Sequence, residues 1–222
     1  MTNRYIFQVL QDKIFQTAAK EKSTIDRFFT ISYIVILGVL IWGSIVTLRQ
    51  TSEASLVYRV GIWSGEMAVA LLAIVLVPGI LGRFGIQIKV TRVITFYRRQ
   101  LGILTFLFSF THGMLVRIVA RIGLGWYPVG RAPLFEVFGT LALSLLFFLF
   151  VTSNDVSVHH LGVWWKRLHR LVYVIVWVIL FHTLLQRISV WSVLIGVVAV
   201  LEVASLIYAK YLASQGPSTS SG

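Results

Sequence analysis

Residues 161–187 read LGVWWKRLHRLVYVIVWVILFHTLLQR. Between Leu171 and Gln186 no residue carries a formal charge, and a single histidine, His182, sits inside the run; Lys166, Arg167 and Arg170 precede it and Arg187 follows. A helix rises about 1.5 Å per residue, so about 20 mainly apolar residues cross a hydrocarbon layer about 30 Å thick. The stretch therefore predicts a membrane-spanning helix over Leu168–Leu185, with cationic side chains at both headgroup levels.

Five further runs have the same character: Phe28–Leu48, Gly61–Leu81, Leu101–Val119, Leu134–Val151 and Val190–Tyr211. The expected fold class is all-α, a polytopic membrane helix bundle with six transmembrane helices. The composition agrees, since 57% of the 222 residues are hydrophobic and only 13% charged. The six runs leave no room for a second domain, so residues 28–211 are expected to form one transmembrane domain. Residues 1–27 read as a cytoplasmic N-terminal segment in which Ile6, Leu10 and Ile14 recur at helical spacing beside Lys13 and Lys20, which suits either a short interfacial helix or a disordered segment. No cleavable leader is expected, and the first span stays as an anchor. Residues 212–222 are Ser/Gly-rich and read as a flexible tail.

The net charge of +12 does not point to nucleic acid, because the basic residues lie in short loops between apolar runs rather than along one soluble face. Most of the 20 Lys and Arg residues collect on one side of the bundle: Arg4, Lys13, Lys20, Lys22 and Arg27 before the first span, then Arg83, Lys89, Arg92, Arg98 and Arg99, then Lys166, Arg167 and Arg170, then Lys210. The positive-inside rule puts that side, and with it both termini, in the cytoplasm. Cysteine is absent, which excludes disulfides, thiolate metal sites and covalent c-type haem attachment; any metal must use other ligands.

Two of the five histidines lie deep inside predicted spans, where an ionisable ring is costly and usually has a task or a partner. His112 stands five residues before Arg117, and His182 five residues before Arg187. The third and fifth spans run in the same direction, so both imidazoles are expected at one level, about 7.5 Å below the outer arginines. Two neutral imidazoles at equal depth suit the opposite axial positions of one haem iron, a closed coordination that favours electron transfer over oxygen binding. The same residues also fit two readings without haem: each histidine hydrogen-bonding a neighbouring helix, or a proton relay joining them to Glu66 and Glu202. His159 and His160 fall in the polar segment after the fourth span and are expected to be solvated.

His169 lies at the inner end of the fifth span beside Arg167 and Arg170, and on an ideal helix it does not share a face with His182. At the matching level of the third span the chain has Tyr97, Arg98, Arg99 and Gln100, so a second bis-histidine haem is not expected. Arg98, Arg99, Lys166, Arg167 and Arg170 form a basic mouth suited to a flavin phosphate or haem propionates, and equally to ordinary positive-inside loops. At the outer side Arg117, Arg121 and Arg131 are candidate propionate partners.

The segments GEMAVALLAIVLVPGILGRFG (65–85), YRRQLGILTFLFSFTHGMLVR (97–117) and LGVWWKRLHRLVYVIVWVILFHTLLQ (161–186) together resemble the ferric reductase-like transmembrane family. The resemblance runs from the second to the fifth span and rests on the RRxLG entry followed by His112, and on LGxxWxxLHxLVY followed by His182. It implies one b-type haem (haem b) on His112 and His182. It further implies that His169, with Arg98, Arg99 and Arg170, supports an inner haem or flavin (FMN or FAD). The larger relatives also carry a soluble flavin and nicotinamide domain, which is not expected in this chain. The resemblance therefore implies the haem-binding membrane subunit of an oxidoreductase in a bacterial inner membrane. Its donor would be a separate flavin reductase or quinol, and its acceptor an extracytoplasmic reductase partner, ferric iron or oxygen. The competing reading is a proton-coupled transporter or relay using intramembrane His and Glu.

Overall fold

The computed structural model describes residues 20–49, 53–86, 88–118 and 132–215. Among these every regular element is a helix: α1 (Lys22–Leu48), α2 (Ala54–Arg83), α3 (Lys89–Phe96), α4 (Arg98–Ile118), α5 (Leu134–Val151), α6 (Asp155–Leu161), α7 (Val163–His169), α8 (Val172–Gln186) and α9 (Val190–Ser214). In hydrocarbon there is no water to take up backbone N–H and C=O groups, and a helix satisfies them within its own segment. Buried hydroxyls follow the same rule. Thr47, Ser64 and Thr105 each donate to the carbonyl four residues back.

Five segments are long and apolar enough to cross a membrane: α1, α2, α5, the Val163–Gln186 stretch of α7 and α8, and α9. The run expected as the third span falls within the 21-residue α4, which carries Arg98, Arg99, His112 and Arg117 and is not among the five. α4 packs on α1, α2 and α5. A helix lined by protein on several sides can carry polar side chains that a lipid-facing one cannot.

Neighbouring contacts close a ring in the order α2, α4, α5, α8, α9 and back to α2, with α1 laid against α4 and α2. Leu72, Leu76, Leu104, Leu107, Leu146, Ile175, Val176, Ile195 and Ala199 fill its interior. Outside, Ile34, Ile41, Trp63, Val193, Val200 and Ile207 are exposed, an apolar surface matched to lipid tails. The protein is an integral membrane protein.

The boundaries differ from expectation in places that have local causes. α2 starts at Ala54, well before Gly61, because Tyr58 and Arg59 interrupt the apolar run without interrupting the helix. The polar segment after α5 is not loop. Asn154 caps α6 by accepting from the Ser157 amide at 2.8 Å, and Gly162, at φ +49°, turns the chain into α7. Between α7 and α8 the bonds tighten to a three-residue reach, as in Arg170 N–H to Arg167 O and Leu171 N–H to Leu168 O. The ideal-helix rotation from His169 to His182 therefore does not apply. Ile6, Leu10 and Ile14, and the tail beyond residue 215, lie outside the described residues.

Candidate functional site

His112 on α4 and His182 on α8 face each other within the helix ring, their ring centroids 6.2 Å apart and their planes crossed at 76°. His112 Nδ1 lies 2.9 Å from the Gly61 carbonyl on α2, and His182 Nδ1 lies 2.7 Å from the Phe135 carbonyl on α5. A carbonyl can only accept, so both Nδ1 atoms carry the proton and both Nε2 lone pairs are left for a ligand. Fixing one ring nitrogen so that the other can bind a metal is the usual support of a ligating imidazole.

The spacing fits one ion between the rings. A metal–imidazole bond of about 2 Å on each side, with about 1.1 Å from nitrogen to ring centre, gives a centroid separation of about 6 Å. Among the described residues no group of three or more His, Cys, Asp or Glu side chains could hold a metal ion. Two opposed imidazoles alone suit a metal whose remaining positions a macrocycle fills, and haem is such a group.

Each ring also rests on a glycine. A Cβ on Gly65 would stand 2.7 Å from His112 Nδ1, and one on Gly139 would stand 2.8 Å from His182 Nδ1 and Cε1. Gly61 brings α2 equally close to α4, since a Cβ there would meet the Val116 side chain at 2.9 Å. None of Gly61, Gly65, Phe135 or Gly139 stands out in the sequence. For Gly61 and Gly65 the four-residue spacing of small residues, a common device for close helix approach in membranes, is an available signal; Phe135 and Gly139 have no such pattern.

The other expected site residues are placed as follows. His169 stacks on Trp165, with centroids 4.1 Å apart, and its Nε2 is 3.2 Å from the Thr152 hydroxyl. That hydroxyl donates to Phe148 O at 2.7 Å, so it accepts from His169 Nε2–H. The opposite nitrogen is thus engaged from that in His112 and His182. Arg99 pairs with Asp155 at 2.7 Å, which holds that carboxyl below the usual carboxylate range. Arg98 stands within electrostatic reach of His169, and Arg170 caps α7 in an exposed position. Arg117 joins α4 to α5 through the Thr140 hydroxyl at 3.2 Å and Glu136 at 3.8 Å. Arg121 and Arg131 lie outside the described residues. His159 and His160 are exposed on α6, in contact with each other. Glu202 forms an ion pair with Arg83 rather than with either central histidine.

The ferric reductase like transmembrane component family matches residues 64–180, a range that holds Gly65, His112, Gly139 and His169 and stops two residues short of His182. A relative from Rhizobium meliloti (strain 1021), the protein-methionine-sulfoxide reductase heme-binding subunit MsrQ, is 33% identical over 151 residues, which is 63% of this chain. The chain spans 64% of that relative's length. With more than half of its length matched, the chain belongs to the ferric reductase like transmembrane component family.

Proposed function

We propose that this protein is a haem-binding membrane subunit for electron transfer, with His112 and His182 as the axial ligands of one haem b. The observation that carries this reading is the pair of facing imidazoles, 6.2 Å apart, with both Nδ1 atoms committed to backbone carbonyls. Haem bound there would supply a one-electron couple. The protein's own part is to present two Nε2 lone pairs and to keep water from the pair. With both imidazoles bound to the iron, no position would be left for an external ligand. Arg117, at the same end of α4, would pair with a propionate, as would Arg121 or Arg131.

We assign the donor to the cytoplasmic side, as a separate flavin reductase or quinol, and the acceptor to the other side. A methionine sulfoxide reductase partner is the first candidate acceptor, because the Rhizobium relative is named as a subunit of such an enzyme. His169, Arg98, Arg99 and Arg170 are proposed to support an inner flavin or haem, on the strength of the basic residues gathered where α4, α6 and α7 meet. The membrane is proposed to be the bacterial plasma membrane, with six spans, α4 included, and both termini cytoplasmic. A reporter fused after Lys210 is then expected to behave as cytoplasmic, and one near Arg59 or Arg131 as extracytoplasmic; the reverse pattern would invert the assigned direction of electron flow.

An absorption spectrum of the detergent-purified protein tests the function directly. The dithionite-reduced protein is expected to show the sharp α and β bands of low-spin b-type haem. A purified, folded protein that takes up no haem on reconstitution would refute the reading in favour of a relay or transporter.

A further inference from the structure

The two histidine seats are copies of each other on different helix pairs. On α2 a carbonyl at position 61 takes the Nδ1 proton of His112, and the glycine four residues on, Gly65, lies against the same ring. On α5 the carbonyl at 135 takes the Nδ1 proton of His182, and Gly139, again four residues on, lies against that ring. A Cβ on Gly65 would be 2.7, 2.9 and 3.0 Å from His112 Nδ1, Cγ and Cε1. Three consecutive ring atoms at nearly one distance place the glycine over the face of the imidazole and not at its edge. At Gly139 the distances of 2.8 Å to both Nδ1 and Cε1 and 3.5 Å to Cγ describe the same approach, shifted slightly along the ring.

An in-plane hydrogen bond fixes where an imidazole points, but leaves it free to turn about that bond. A surface against its face removes the turn. Each ring therefore receives both constraints from one neighbouring helix, and the crossing of 76° is set by α2 and α5. We propose that Gly65 and Gly139 are positioning residues that hold the axial imidazoles in crossed planes and so tune the electronic state of the bound iron. This rests on the haem reading above.

The chemistry follows from π donation. An imidazole donates into the iron dπ orbital perpendicular to its own plane. Parallel rings both raise one orbital and split the pair, whereas crossed rings raise one each and leave the two nearly degenerate. A near-degenerate low-spin ferric ion gives an electron paramagnetic resonance signal dominated by one strongly anisotropic low-field line. A split pair gives a well-resolved three-line rhombic signal. A methyl group on either glycine must push the ring round or push the helices apart, because the facing atoms belong to a ring already tied at Nδ1.

The test is the resonance spectrum of the oxidised, haem-loaded full chain, compared with Gly65→Ala, Gly139→Ala and the control Gly102→Ala, where a Cβ meets nothing within 4 Å. Wild type and Gly102→Ala are expected to give the low-field line; Gly65→Ala and Gly139→Ala are each expected to lose it, in favour of a rhombic low-spin or a high-spin signal. The wild-type signal is read first, since it needs no variant to fold: a rhombic spectrum there overturns the crossed planes. Low-field lines that survive both glycine substitutions overturn the role of the glycines while leaving the haem reading intact. A wild type that takes up no haem overturns both.

Discussion

His112→Ala and His182→Ala are each expected to abolish the low-spin b-type spectrum. Loss of an outer-shell partner alone typically costs 10–100-fold in metal affinity, so loss of an axial ligand should cost more than about 100-fold. The effect should be equal at the two positions, because the seats are alike and neither ring has a substitute: no third His, Cys, Asp or Glu stands ready among the described residues. His159→Ala and His160→Ala, on the exposed α6, should leave the spectrum as it is. His169→Ala should also keep it, since that ring is tied to Thr152 and Trp165, and should instead impair electron entry from the donor side. Normal low-spin bands in both helix variants would mean that the ligands lie elsewhere. Loss of all haem in His169→Ala with the fold intact would move that residue into the outer site.

The second large effect concerns stability. Glu202 is buried on α9 and forms an ion pair with Arg83 at the end of α2. Arg83 also donates to the Ser205 hydroxyl at 2.9 Å and to the Tyr173 hydroxyl at 3.3 Å, and lies over the Tyr173 ring. One guanidinium thereby links α2, α8 and α9. Removing one partner of a buried pair leaves an uncompensated charge and costs about 3–5 kcal/mol, whereas replacing both by apolar residues is often neutral or better. Glu202→Leu should lower the unfolding temperature in detergent sharply, and the double variant Arg83→Met with Glu202→Leu should recover most of the loss. A single variant as stable as wild type, or a double variant as unstable as the single, would show that the pair contributes little.

The bundle was legible because its residues repeat one simple message over long distances. The 134–151 run has the same limits in sequence and structure, since Pro133 and the polar stretch after Val151 mark both ends. The short helices α3, α6 and α7 were missed because none is long enough to develop an apolar period, and their polar residues read as loop. The tightened turn at 170–171 leaves no mark in composition at all.

At the site the histidines were legible for a different reason: an ionisable ring in an apolar run is conspicuous, and its depth can be counted. Their surroundings were not. Gly61, Gly65 and Gly139 look like any membrane glycines until the helices that face them are known, and a backbone carbonyl has no letter in a sequence. Arg99 was visible as part of a basic mouth, but its partner Asp155 became apparent only once α6 folded beside α4.

The carbonyl acceptors bear on how the protein can drift. A side-chain acceptor is a single substitution away from loss, and with it the tautomer of the ring it holds. At position 135 nearly any residue that keeps α5 helical brings the same oxygen to His182, although the Phe135 ring also lies against that imidazole, with centroids 6.1 Å apart. At position 61 the oxygen is equally general, but the side chain is not, because anything beyond hydrogen meets Val116. The bond that secures the two histidines is thus the same, while the side chain at the acceptor position answers to Val116 in one case and to the imidazole itself in the other.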